Sequence, residues 1–234
     1  MATADWTFGG TWPYQPRYFD HADGKLHYVD EGPPDGKPVV MVHGNPTWGY
    51  LYRHMIGPLS RNHRVVVPDH MGFGKSETPP DREYTLQSHV ENLAALIEHL
   101  DLSEITFVGQ DWGGPISAAY TVRHADRVRR IFFANTLAGY GRVDDPDIPQ
   151  TSDSRWFRWF GAGLENGRTE QVRRNAGSTV LSVMKLIGFE NSAAVDDTWI
   201  RAYSAPFPDW ESAIGVYEFP YDAYSGRIVE YVLA

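Results

Sequence analysis

The chain of 234 residues contains no cysteine. That absence excludes disulfides, cysteine-ligated zinc and a thiolate nucleophile together. Basic clusters are also missing, and the formal net charge is −9. A nucleic-acid footprint needs a Lys/Arg stripe, so nucleic acid is excluded as a partner, and attraction to an anionic membrane surface is not indicated. No apolar run approaches the roughly 18 residues of a membrane-crossing helix. The start, "MATADWTFGGTWPYQPRYFD", has neither a basic n-region nor an apolar h-region, so no signal peptide is read and a cytoplasmic location is expected. Histidine is scarce in one half only: all nine lie at or before His124.

Buried-strand and helix patterns alternate through the first part of the chain. "KLHYVDEG" (25–32) reads as a strand, and "PVVMVHG" (38–44), "RVVVPD" (64–69), "EITFVG" (104–109) and "RVRRIFFAN" (127–135) as four buried ones. Between them, "TWGYLYRHMIGPLS" has helical spacing with Thr47 as its expected N-cap, and "YTLQSHVENLAALIEHLDL" (84–102) carries Leu86, Val90, Leu93, Ile97 and Leu100 on one stripe. The alternation predicts an α/β fold, a mostly parallel sheet with helices on both faces. After Asn135 the rhythm breaks. Residues 1–137 are therefore expected to form the core, 138–218 an inserted helical lid, and 219–234 a return towards the core.

"VGQDWGGP" (108–115) sets Gly109, Asp111 and Gly113 as G-x-D-x-G between a strand and a helix. This is the layout of a nucleophile elbow with aspartate in place of serine. The substitution has a chemical reason. Serine attacking saturated carbon would leave an ether, whereas a carboxylate leaves an ester that water can cleave. The pattern thus points to Asp111 as a nucleophile towards saturated carbon; the competing reading is a helix-capping aspartate. Trp112 follows directly, with a backbone N–H placed for an oxyanion hole and an indole N–H able to hold a departing anion. "VHGNP" ends a buried strand at the same expected sheet edge and brings Asn45, whose backbone N–H and side-chain amide are candidates for the same two tasks.

Together "VHGNPTWGYLYR", "VVVPDHMGFGKS", "VGQDWGGPI" and "RRIFFANT", with "GGTWPYQPRYF" and "AYSAPFPDW" (202–210), resemble the haloalkane dehalogenases of the α/β-hydrolase superfamily. The resemblance implies that Asp111 is the catalytic nucleophile, that Asn45 and Trp112 bind halide through their side chains, and that their backbone N–H groups form the oxyanion hole. It implies a small apolar halogenated substrate, halide and water as reaction partners, and no metal or organic cofactor. Where one subgroup has its catalytic acid this chain has Asn135, so it resembles the subgroups whose acid comes later. The base histidine of the family follows the lid, and none of His43, His70, His89, His99 or His124 occupies that position. The chain closes on "GRIVEYVLA" with no counterpart of the family's final core strands. It reads as a fragment or truncated product, with "YDAYSGRIVEYVLA" as a divergent tail the alternative, and with base and acid expected beyond residue 234 and an open sheet edge.

Two rival functions share these residues. An epoxide hydrolase would use the same aspartate but needs tyrosine donors, for which Tyr140, Tyr203 and Tyr217 are the candidates. An inactive remnant would act only as a binding or assembly module. "GFGKS" (72–76) is not a phosphate loop, because Asp69 stands where the first glycine is required. "RWFRWF" (155–160) offers Trp156 and Phe160 as tunnel or packing residues, with packing favoured; Asp144, Asp145 and Asp147 read as solvated loop carboxylates.

Overall fold

A computed structural model describes residues 5–137, 155–168, 171 and 194–233. Its sheet has six strands, β1 (Arg17–His21), β2 (Gly24–Glu31), β3 (Lys37–Val42), β4 (His63–Pro68), β5 (Ile105–Gln110) and β6 (Val128–Ala134), in the order β1-β2-β4-β3-β5-β6. The hairpin β1–β2 and the β2–β4 pair are antiparallel, and β4, β3, β5 and β6 run parallel. The β1 strand lies in "PRYFD", a stretch whose alternation is too short to announce a strand.

Parallel pairing requires crossovers, and three helical segments supply them. A 3-10 turn (Gly49–Tyr52) and α1 (Arg53–Leu59) join β3 to β4; α2 (Leu86–His99) joins β4 to β5; α3 (Gly113–Arg123) joins β5 to β6. Helix α2 begins on a cap. The Thr85 hydroxyl accepts from the Ser88 N–H at 3.1 Å, and the Ser88 hydroxyl accepts from the Thr85 N–H at 3.0 Å, a reciprocal cap. Thr47 caps nothing: its N–H and hydroxyl both donate to the Gly44 carbonyl at 3.0 Å, closing a turn before the 3-10 segment.

The centre of the sheet is dry. Val39–Val42 and Val65–Val67 are all buried, consecutive residues included, so both faces are covered. β6 corrects the reading of a fourth equally buried strand. It is the last strand of the described sheet; Arg129 and Arg130 are exposed, and Phe132 is 60% exposed. An apolar run reports the chance to be covered, not whether a neighbour does the covering.

Beyond the sheet lie α4 (Arg155–Glu165), α5 (Asp197–Ser204), α6 (Ile214–Tyr224) and α7 (Arg227–Leu233). Helix α6 runs through the expected lid boundary at 218. An aromatic cluster of Trp6, Phe8, Trp12, Trp48, Tyr50 and Tyr203 packs edge to face and ties α5 to the loop after β3, where the Trp48 indole donates to the Ala202 carbonyl at 2.9 Å. Among the described residues no helix is long and apolar enough to cross a membrane.

Candidate active site

The carboxyl ends of β3 and β5 are neighbours, with Val42 opposite Gly109, so the residues just beyond them meet. Asn45 follows β3. Asp111 follows β5 and precedes α3 with φ of 52°, a left-handed conformation uncommon outside glycine, though more accessible to aspartate than to most side chains. Close packing explains the flanking glycines. A Cβ on Gly113 would collide with the Val42 carbonyl, and one on Gly44 with the Asp111 side chain. The turn is thus available only to a chain with glycine at both places.

The Asn45 backbone N–H donates to Asp111 Oδ1 at 2.7 Å, and the Trp112 backbone N–H also serves that carboxylate. Burial pushes the Asp111 carboxyl above the ordinary aspartate value, and these two N–H groups hold it down in part. The three residues singled out from sequence, Asp111, Asn45 and Trp112, are therefore brought together. Their side chains differ in what they face. Asp111 and Trp112 line a cavity of about 360 Å³ whose walls include Asn135, Leu137, Phe157 and Ala223. Asn45 is not part of that lining; its amide Nδ2 donates to the Val216 carbonyl of α6 at 3.2 Å. The Trp112 ring is stacked on Phe219 of the same helix, with centroids 4.6 Å apart.

Sequence reasoning missed Thr136. Its hydroxyl donates to the Asp111 backbone carbonyl, which also accepts the Gly114 N–H at 3.0 Å. A hydroxyl one residue past Asn135 thus pins the strained turn from the neighbouring strand's end. Replacing Thr136 by Val keeps the shape and removes this bond, and a loss of roughly 1–2 kcal/mol of stability is expected. Thr136→Ser should retain the bond and most of that stability. Urea unfolding of the two variants checks it, and equal losses would remove the hydroxyl from the account.

All nine histidines lie among the described residues, and none lines the Asp111 cavity. His43 and His70 are engaged with each other: His43 Nε2 accepts from the His70 N–H at 3.0 Å, and His70 Nε2 donates to the His43 carbonyl at 2.8 Å. His89 stacks on Phe219, His124 on Tyr120 and His99 on Phe19. Tyr203 is buried against Tyr50 and Trp199, with burial pushing its hydroxyl up to about 12. Phe160 is buried against Tyr217. Tyr140, Asp144, Asp145 and Asp147 lie outside the described residues, as does the side chain of Trp156. Among the described residues no group of three or more His, Asp or Glu side chains is placed to hold a metal ion.

Residues 37–209 match the family described as alpha/beta hydrolase fold. Haloalkane dehalogenase 2 of Mycobacterium tuberculosis is 46% identical over 125 residues, 53% of this chain and 43% of that protein. A cis-3-alkyl-4-alkyloxetan-2-one decarboxylase of Xanthomonas campestris is 37% identical over 221 residues, 89% of this chain and 69% of that protein. Among solved structures, haloalkane dehalogenase DpaA of Paraglaciecola agarilytica superposes with a TM-score of 0.73 at 32% identity, over 95% of this chain and 71% of that one. The chain thus spans less than half the length of the mycobacterial relative. A parallel sheet with an aspartate elbow at its carboxyl edge agrees with these matches, and the chain belongs to the haloalkane dehalogenase family of the α/β-hydrolase superfamily.

Proposed function

We propose that the Asp111 site cleaves carbon–halogen bonds of small haloalkanes through an alkyl-aspartyl ester. The observation that carries this reading is an elbow carboxylate, held by two backbone N–H groups, opening into a cavity with Leu137, Phe157 and Ala223 in its wall. A haloalkane in that cavity presents saturated carbon to the carboxylate. An Asp111 oxygen forms the C–O bond, the carbon–halogen bond breaks, and the electron pair leaves with the halide. The Trp112 indole N–H makes no hydrogen bond among the described residues and is the first donor assigned to that halide. The second is Asn45: its amide is bonded to Val216 and does not line the cavity, so its side chain must turn to present an N–H to the halide. In the second step water attacks the aspartyl carbonyl carbon. The oxygen already facing the Asn45 N–H then becomes the oxyanion, so the hole is in place before the charge develops. Residues 138–218 are assigned to a lid; Phe157 in the cavity wall and Val216 over Asn45 support that division.

The weak step is the second. Water attack needs a base, and none of the nine histidines lines the cavity. Excess 1-bromobutane is therefore expected to release about one bromide per chain and then stall, leaving a butyl adduct on Asp111 detectable by mass spectrometry. Sustained release would reveal a base that the geometry does not identify. No release from folded chain would favour the inactive, binding-only reading.

The match to the Xanthomonas relative, over 69% of that protein, favours a second reading, a β-lactone of the kind in its name. Attack of Asp111 on the ring carbon bearing oxygen would open the lactone to a carboxylate. Loss of CO2 would then form the alkene and expel Asp111 intact. No water and no base enter that cycle, so turnover on a cis-dialkyl oxetanone beside a single burst on bromobutane would decide for it. An epoxide as substrate has less support, since neither Tyr203 nor Tyr217 lines the cavity to protonate an alkoxide.

A further inference from the structure

We propose that a second cavity, walled by Trp6, Trp12, Tyr14 and Tyr18 around Lys75, is a binding site for a small carboxylate with a flat apolar body. The cavity measures about 550 Å³, the size of a small-molecule site, and shares no lining residue with the Asp111 cavity. Lys75 is its only charged lining residue; the nearest carboxylate, Asp69, is buried behind the Gly74–Lys75 backbone.

The lysine is held there by design of the loop rather than by a partner. Its backbone N–H donates to Asp69 Oδ2 at 2.9 Å. Asp69 is fully buried and is fixed in turn by His27 Nδ1 at 2.8 Å and the Gly49 N–H at 2.7 Å. The side chain then lies half-buried with Nζ 5.3 Å from the Trp6 ring centre and makes no ion pair among the described residues. A surface lysine ordinarily extends into water or pairs with an acid. This one is withdrawn from solvent, and burial lowers its ammonium below the ordinary lysine value. Asp69 acts on it only through its charge, and a ligand carboxylate would give the ammonium a direct partner. Aromatic walls suit a planar body beside it, stacked or edge-on.

The probes are 2-naphthoate and its neutral analogue 2-naphthamide, titrated calorimetrically into the full chain. Naphthoate is expected to bind at least about tenfold more tightly than naphthamide, the worth of one charge-assisted hydrogen bond. Lys75→Met preserves the stem and should bring naphthoate down to the amide's affinity, whereas Lys75→Arg should keep most of the preference. Amide NMR shifts of wild-type protein should move at Gly74–Ser76 and at the Trp6 and Trp12 indoles, an outcome that does not depend on any variant folding. Equal binding of the two probes, no binding of either, undiminished binding by folded Lys75→Met, or shifts confined to the Asp111 cavity would each overturn the proposal.

Discussion

Asp111→Ala is expected to lower the rate of bromide formation from 1-bromobutane by roughly 10⁴-fold or more, as loss of a covalent nucleophile does elsewhere. Stopped-flow halide detection over the first turnover is the measurement, because the step in question is the first. Asp111→Asn separates charge from shape. Its amide oxygen can still accept the Asn45 N–H that Oδ1 accepts at 2.7 Å, so the turn has no reason to rearrange. What it lacks is the second anionic oxygen, and it should be as inert as the alanine variant. An asparagine variant with a substantial burst would take the nucleophile's role away from Asp111. The same burst reports the carboxyl's ionisation. Only the ionised form attacks, and burial raises the Asp111 pKa above the ordinary aspartate value while Asn45 and Trp112 N–H groups oppose it. The first-turnover rate of the wild-type chain should therefore rise with pH, with its midpoint above that of a free aspartate side chain. A rate independent of pH down to about 4 would mean that the two N–H groups outweigh burial.

What could be read in advance was what is local. G-x-D-x-G describes a turn whose requirements are met within a few residues: Gly113 must clear Val42, and Asp111 must take a left-handed φ. The strands β3, β4 and β5 were equally legible, since consecutive buried valines have one interpretation in an alternating chain. Asn45 was found because it follows such a strand, but the use of its amide was not, because Val216 lies far along the chain on α6. No period or propensity carries a contact of that separation. The Phe219 stack on Trp112 and the Thr136 bond to Asp111 belong to the same class. Phe132 failed for the opposite reason: its composition is that of a core residue, and its exposure is set by which element stands next to β6. Lys75 sits in "GFGKS", which sequence reasoning dismissed as a phosphate loop, and only the packing of the N-terminal aromatics around it gives it an environment.

Acid should unfold this chain over an unusually narrow range, and three histidines are the cause. His43, His70 and His89 are buried within one ring cluster, His43 beside His70 at 4.2 Å and His70 beside His89 at 5.2 Å between centroids. Burial lowers the pKa of each, that of His89 to about 3, and each charged neighbour would repel the next. In the unfolded chain the same imidazoles titrate near 6.5. As pH falls below that value the unfolded state takes up protons that the folded state refuses, so stability declines with falling pH. The slope is about 1.4 kcal/mol per pH unit for each such group and roughly 4 kcal/mol for three. Asp111 and Asp222, whose carboxyls burial pushes up, act in the opposite sense over their own lower range. A domain stable by about 5–15 kcal/mol has room for only a few units of that decline. His89 offers the sharpest test. Both its ring nitrogens are buried without a partner, and its ring is stacked on Phe219 at 4.3 Å. His89→Phe should fit the stack, remove two unsatisfied polar atoms and cost no stability at neutral pH. Below about pH 6 its slope should be shallower than wild type by about 1.4 kcal/mol per pH unit. Urea unfolding at a series of pH values measures both slopes. A wild-type stability flat from about pH 7 to pH 5, or parallel slopes for the two proteins, would show that these imidazoles are not held neutral by the fold.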